Sequence, residues 1–181
     1  MTQEQLIKGC IRQDSACQKA VFDCYAGRML GVCMRYARNA ADAEDILQDA
    51  FIKVLEKIKQ FKGDGSFEGW IRKIVVNTAL KKYTLSRYSK EVSDQEVSEQ
   101  ALHQIEDPMA YHQLSEKDIL ALINALPDGY RIIFNLYVIE GYRHEEIAEM
   151  LGIQSGTSRS QLAKARLMLQ KQIIQLQQIA V

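Results

Sequence analysis

The sequence predicts an all-α protein: two small helical domains joined by an acidic linker, the C-terminal one containing a helix-turn-helix. Apolar residues recur at three- and four-residue spacing through most of the chain, and no segment alternates with period 2 long enough to argue for a strand. The charge is divided. Met1 to Lys90 holds 16 Lys+Arg against 10 Asp+Glu, Glu91 to Asp118 holds 1 against 8, and Ile119 to Val181 holds 6 against 5. A net charge of zero therefore conceals a basic lobe, an acidic middle and a basic last helix. Gly141 to Leu169, GYRHEEIAEMLGIQSGTSRSQLAKARLML, reads as two helices around a tight turn.

Taken in order, Thr2 and Gln5 form a capping box for a short first helix whose middle Gly9 weakens. Ser15 and Gln18 repeat the device, and Val21, Cys24, Tyr25, Met29, Val32, Cys33 and Tyr36 continue at helical spacing until Asn39. The third helix carries Ala43, Ile46, Leu47, Ala50, Phe51, Val54, Leu55 and Ile58 on one stripe. Asp42, Glu44 and Asp45 stand at its positive end and Lys53, Lys57 and Lys59 toward the other, so its charges agree with its dipole. Phe61 to Gly69, with three glycines, breaks the pattern, and Ser66 or Phe67 starts a fourth helix through Trp70, Ile71, Ile74, Val75, Ala79 and Leu80. Trp70 reads mainly as core.

Residues 89–107 are polar and acidic and read as a linker, flexible or loosely helical. Asp107 and Pro108 restart a helix, with the cap before proline at its first position; Leu114, Ile119, Leu122, Ile123 and Leu126 form its apolar side, and Pro127, Asp128 and Gly129 end it in a turn. Tyr130 to Ile139 is another helix. Glu145 to Leu151 presents Ile147, Ala148 and Leu151 on one face, Gly152 supplies a left-handed position, and Ile153 plugs the corner. Ser155 then caps a last helix, carried to the C-terminus by Leu162, Leu169, Ile173 and Leu176. The domains are accordingly placed at 1–88 and 108–181.

Several function classes are disfavoured. No charged start precedes an apolar core and cleavage site, and no apolar run approaches ~18 residues, so a soluble, cytoplasmic chain without membrane insertion is expected. Cys10, Cys17, Cys24 and Cys33 lack CxxC pairing and read as buried or half-buried reduced thiols. His103, His112 and His144 are scattered and read as plain polar residues. With no nucleophile arrangement, phosphate loop or metal spacing, neither an enzyme nor a cofactor nor a metal is expected.

Two stretches carry binding chemistry. After Thr157 in its first turn, the last helix bears Arg159, Ser160, Gln161, Lys164 and Arg166 with no acidic residue, a face suited to the DNA major groove; the plain alternative is a helical hairpin with a solvated basic face. The fourth helix bears Arg72, Lys73, Asn77, Lys81 and Lys82, trailed by Arg87 and Lys90, with Tyr83 and Tyr88 interleaved. Cations for phosphates beside aromatics that stack on exposed bases suit single-strand recognition, though a solvated face with incidental tyrosines fits that segment alone as well. The acidic middle opposes both, so free affinity for DNA should be modest.

Together these features resemble the bacterial sigma-70 family, specifically the two-domain extracytoplasmic-function (ECF) sigma factors. DAEDILQDAFIKVLEKI resembles that family's region 2.2, FKGDGSFEGWIRKIVVNTALKKY its regions 2.3 and 2.4, and LPDGYRIIFNLYVIEGYRHEEIAEMLGIQSGTSRSQLAKAR its region 4. The resemblance implies that 1–88 binds the polymerase clamp through Asp45, Gln48 and Asp49 and recognises the promoter −10 element, with Phe61 and Asn77 lining a pocket for a flipped base and Lys81, Lys82 and Arg87 on phosphates. It implies that 108–181 reads the −35 element with Arg159, Ser160, Gln161 and Lys164, while Thr157 and Arg166 touch phosphate. Ser158 and Gln161 depart from the family's usual aliphatic residue and arginine, so a less firmly packed helix and a changed base preference are expected, since Gln reads adenine where Arg prefers guanine. The function implied is a promoter-specificity factor that binds core RNA polymerase and directs initiation at a subset of promoters. Core RNA polymerase and promoter DNA are its partners, and an anti-sigma factor is a further candidate. The alternative, a helix-turn-helix regulator acting without polymerase, leaves the acidic-headed third helix and the Gly loop unexplained.

Overall fold

Side-chain caps at Thr2, Asp14, Asn39 and Ser115 set where four of the helices begin. The structure, a computed structural model, describes residues 1–88 and 115–179, apart from the side chains at 84–88, 116 and 177–179. The chain is all-α and divides into two units, Met1–Lys90 and Glu91–Val181. The linker at 89–107, the helix start at Asp107 and Pro108, and Leu114, His103 and His112 lie outside the described residues.

In the first unit α1 (Gln3–Ile11) opens on the Thr2–Gln5 capping box. Helix α2 (Ser15–Tyr36) is capped one residue earlier than the Ser15–Gln18 pattern suggests: Asp14 Oδ1 accepts from the amides of Ala16 at 2.8 Å and Cys17 at 3.2 Å. A carboxylate accepting two amides at the positive helix end outcompetes a hydroxyl. Asn39, beyond the end of α2, caps α3 (Ala40–Lys57), which runs into a 3-10 turn at Ile58–Gln60, and α4 spans Phe67–Tyr88. Helices α2, α3 and α4 pack mutually, with α1 against α2. The predicted α3 stripe is buried, Leu55 only partly, against Val21, Met29 and Val32 of α2 and Phe67, Ile71, Val75 and Val76 of α4.

Gly9 has a positive reason to be glycine. A Cβ there would fall 2.2 Å from Cys17 Sγ, so the residue sets how closely α1 approaches α2. Cys10, Cys17 and Cys33 are buried, and burial pushes the Cys33 thiol up to about 11. Cys24, expected to be buried or half-buried, is exposed: Cys17 lies under Gly9 of α1, and no described residue covers Cys24 two turns further along α2.

The second unit comprises α5 (Glu116–Asn124), α6 (Asp128–Phe134), a π-helical turn at Asn135–Ile139, α7 (His144–Leu151) and α8 (Ser155–Ile179). Asp128 and Gly129, read as a turn with Pro127, instead open α6: Pro127 is its N-cap, and the Asp128 carboxylate suits the positive end of the helix. The helix expected over Tyr130–Ile139 changes pitch at Asn135, and Gly141 follows at φ 77°. Gly152 takes the left-handed conformation at φ 65° that the tight turn requires. Ser155 is already helical, and the carbonyl of Gln154 accepts from the amide of Ser158. Ile123, Leu126, Ile132, Ile133, Leu136, Ile147, Leu162 and Ala165 form the core, and Arg131, Asn135 and Ser158 are buried within it.

Candidate nucleic-acid and partner interfaces

On α3 the burial of Ile46, Leu47 and Ala50 leaves Asp45, Gln48 and Asp49 exposed on the opposite side. This acidic face is not isolated from the basic helix. Lys82 Nζ lies 3.2 Å from Asp45 Oδ2 and 4.0 Å from Asp42 Oδ1, so an α4 cation shields the N-terminal part of the α3 face.

The loop before α4 needs its glycines at Gly63 (φ 84°) and Gly65 (φ 96°). Ser66 Oγ then accepts from the amide of Gly69 at 3.0 Å and helps start α4. Phe67 is buried, and half-buried Trp70 stacks on it with centroids 5.8 Å apart and planes 13° apart. Phe61 closes the cluster at 5.1 Å from Phe67 and 5.6 Å from Trp70. Trp70, read mainly as core, thus shares a partly open aromatic surface with Phe61. Lys73, Asn77 and Lys81 follow at helical spacing and are exposed. An aromatic wall, an amide and two cations therefore run along one side of α4, with Trp70 and Asn77 about two turns, roughly 10 Å, apart. Lys82, next to Lys81, is turned to the acidic residues of α3, and the side chain of Arg87 is not among those described.

In the second unit Arg159, Ser160 and Arg166 are exposed and Thr157, Gln161 and Lys164 half-buried. Their supports come from outside α8. Arg159 Nη2 donates to Glu145 Oε1 at 2.7 Å, and the Arg166 guanidinium lies over the Tyr137 ring, 6.0 Å from its centroid. Ser158 is fully buried, with its Oγ 2.8 Å from His144 Nδ1, and the His144 ring stacks on Tyr137 at 4.4 Å and 22°. Ser158 is thus a packed, hydrogen-bonded residue rather than a loose substitute for an aliphatic one. Partial burial, followed by the positive charge of Arg159, holds the His144 pKa below its usual value, Arg166 acting the same way and Glu145 opposing. Tyr137, His144 and Glu145 were missed from the sequence, because two contacts fourteen residues apart become visible only once the turn at Gly152 fixes α7 against α8.

Among the described residues no group of three His, Cys, Asp or Glu side chains could hold a metal ion, and no helix is long and apolar enough to cross a membrane. Two family models match the chain: Sigma-70 region 2 over residues 21–87 and Sigma-70, region 4 over residues 116–169. The chain is similar to the RNA polymerase sigma-H factor of Pseudomonas aeruginosa, 30% identical over 181 residues covering 92% of each chain. It is also similar to the ECF RNA polymerase sigma-E factor of Haemophilus influenzae, 28% identical over 185 residues and 96% of each. Among solved structures, the sigma factor RpoE from Bartonella quintana, in complex with the anti-sigma factor NepR, shares the fold at a TM-score of 0.53 and 22% identity, over 87% of this chain and 96% of that one.

Proposed function

From the premise that this chain belongs to the extracytoplasmic-function group of the sigma-70 family, we propose which residues do its work and in which order. The protein is a promoter-specificity factor that binds core RNA polymerase and directs initiation at a subset of promoters. Asp45, Gln48 and Asp49 meet the polymerase clamp through an exposed acidic face. Phe61 and Asn77 take a flipped base of the −10 element, the aromatic ring supplying an apolar wall and the amide a hydrogen-bonding edge, while Lys81, Arg87 and, once it exchanges Asp45 for DNA, Lys82 meet phosphates. Arg159, Ser160, Gln161 and Lys164 read the −35 element in the major groove, and Thr157 and Arg166 contact its backbone. The protein acts without catalysis of its own, in the cytoplasm. An anti-sigma partner is carried over from the Bartonella relative, solved with one.

The observation that carries this reading is the exposed acidic face of α3 beside the aromatic and cationic side of α4, in a chain that also holds a helix-turn-helix. A regulator acting without polymerase has no use for the first unit. Pull-down with purified core polymerase tests the reading, with Asp45→Ala/Gln48→Ala/Asp49→Lys expected to lose core binding while keeping its circular dichroism. Unchanged core affinity in that folded variant removes the docking assignment. Asn77→Ala should weaken binding of single-stranded −10 DNA by polymerase carrying this factor, by roughly tenfold if the amide accounts for a base contact, and leave duplex −35 binding unaltered. Equal losses on both DNA forms would mean that Asn77 acts through folding.

A further inference from the structure

The reading helix of the second unit is gripped from one side. His144 and Glu145, adjacent at the start of α7, meet Ser158 and Arg159, adjacent near the start of α8. The first contact is internal. A hydroxyl as buried as that of Ser158 requires a hydrogen-bond partner, and its local option is the carbonyl four residues back, that of Gln154. The 2.8 Å contact with His144 Nδ1 instead ties two helices together. Ser158 meets the edge of that imidazole while Tyr137 stacks on its face and also lies under Arg166, so α8 is held at two levels about two turns apart.

The second contact is at the surface and serves a different end. Arg159 and Glu145 have side chains 58% and 64% exposed, so their ion pair adds little to stability. What it restricts is the guanidinium's orientation. A guanidinium has five N–H donors, enough to keep Glu145 on one edge and present another to the O6 and N7 acceptors of a guanine. The carboxylate also repels phosphates, which penalises DNA that offers Arg159 no base partner in return.

We propose that His144 and Glu145 are positioning residues for −35 recognition: His144 sets the seat of α8 through Ser158, and Glu145 aims Arg159 and suppresses its non-specific use. The proposal rests on α8 being the −35 reading helix, and the experiment separates the two. Full-length protein with saturating core polymerase selects from a duplex pool randomised over ten base pairs upstream of a fixed −10 element, and the bound DNA is sequenced. Arg159→Ala identifies the base position that Arg159 reads. Glu145→Gln should lower the preference at that same position by roughly fivefold, leave other positions alone, and raise affinity for a scrambled duplex. His144→Phe should weaken preference at several positions together, because the whole helix shifts, and Ser158→Ala should do the same by another route. The double variant His144→Phe/Ser158→Val should recover part of the loss, since replacing both partners of a buried polar pair leaves none unsatisfied. Circular dichroism establishes that each variant is folded. If Arg159→Ala and Lys164→Ala leave the selected sequences unchanged, α8 does not read DNA. If those two change them while Glu145→Gln and the His144 and Ser158 variants do not, the positioning roles are overturned.

Discussion

The two units anchor the helices proposed to read DNA in different ways. In the first, α4 is anchored by an apolar underside of Ile71, Val75, Val76 and Ala79, and Asn77 and Lys81 project from the opposite side. Stability and recognition reside on separate faces. In the second, α8 is anchored by Leu162 and Ala165 but also by buried Ser158, whose partner His144 neighbours the residue that holds Arg159. There the groups that hold the helix and those proposed to read DNA touch. Surface changes on the first unit should therefore be thermodynamically quiet, whereas changes near α8 should move stability and specificity together.

The sharpest test of independence removes the aromatic anchor of the first unit. Phe67 is fully buried beneath Phe61, Trp70 and Tyr25, and Phe67→Ala should cost about 3–5 kcal/mol, the cavity adding to the lost transfer energy. Trp70 is the chain's single tryptophan, so its fluorescence follows the first unit alone. In urea the fluorescence midpoint should drop sharply while a second transition, followed by circular dichroism, keeps its midpoint. A matching shift of both would show the units to be one cooperative body and dissolve the comparison.

A smaller effect sets two rules against each other at Gly9. Helix propensity favours Gly9→Ala by about 1 kcal/mol, but the new Cβ would stand 2.2 Å from Cys17 Sγ and 2.7 Å from Cys17 Cβ. Those contacts force α1 off α2, at an overpacking cost of about 1–3 kcal/mol. Net destabilisation in the fluorescence transition is expected, partly relieved by adding Cys17→Ala. A more stable Gly9→Ala protein would mean that α1 sits loosely.

Gly9 also marks where sequence reading stops. Periodicity encodes which face of a helix is buried, and this made the α3 stripe, the exposure of Asp45, Gln48 and Asp49, and the left-handed Gly152 legible. Which residue of one helix meets which residue of another depends on crossing geometry that no local pattern contains. Hence the approach of Gly9 to Cys17, the pairing of Lys82 with Asp45, and the stack of Tyr137 on His144 emerge only from the fold. The cap of α2 slipped by one residue because Asp14 and Ser15 are both competent caps and only the geometry after Gln13, at φ 61°, chooses between them.

The smallest effect is the one that separates the units by chemistry. Met1–Lys90 contains no histidine, whereas the second unit places His144 against Ser158, Tyr137, Arg159, Arg166 and Glu145. Partial burial, then Arg159 and Arg166, disfavour the imidazolium; Glu145 partly offsets them, and the folded pKa lies below the ordinary 6.5. The unfolded chain therefore binds a proton more readily than the folded one, so stability is fully present above pH 6.5 and declines as pH falls from there through the lowered folded value. The decline should be modest, because the hydrogen bond itself survives: an imidazolium Nδ1–H can still donate to Ser158 Oγ, which accepts. The chain also contains His103 and His112, so the measurement is a difference. Between pH 7.5 and 5.5 the circular dichroism midpoint should fall further in wild type than in His144→Gln, while the Trp70 midpoint stays level in both. A wild-type midpoint no more pH-sensitive than that of the variant would mean that solvent and Glu145 together cancel the burial and the two arginines, leaving His144 a structural peg without a charge cost.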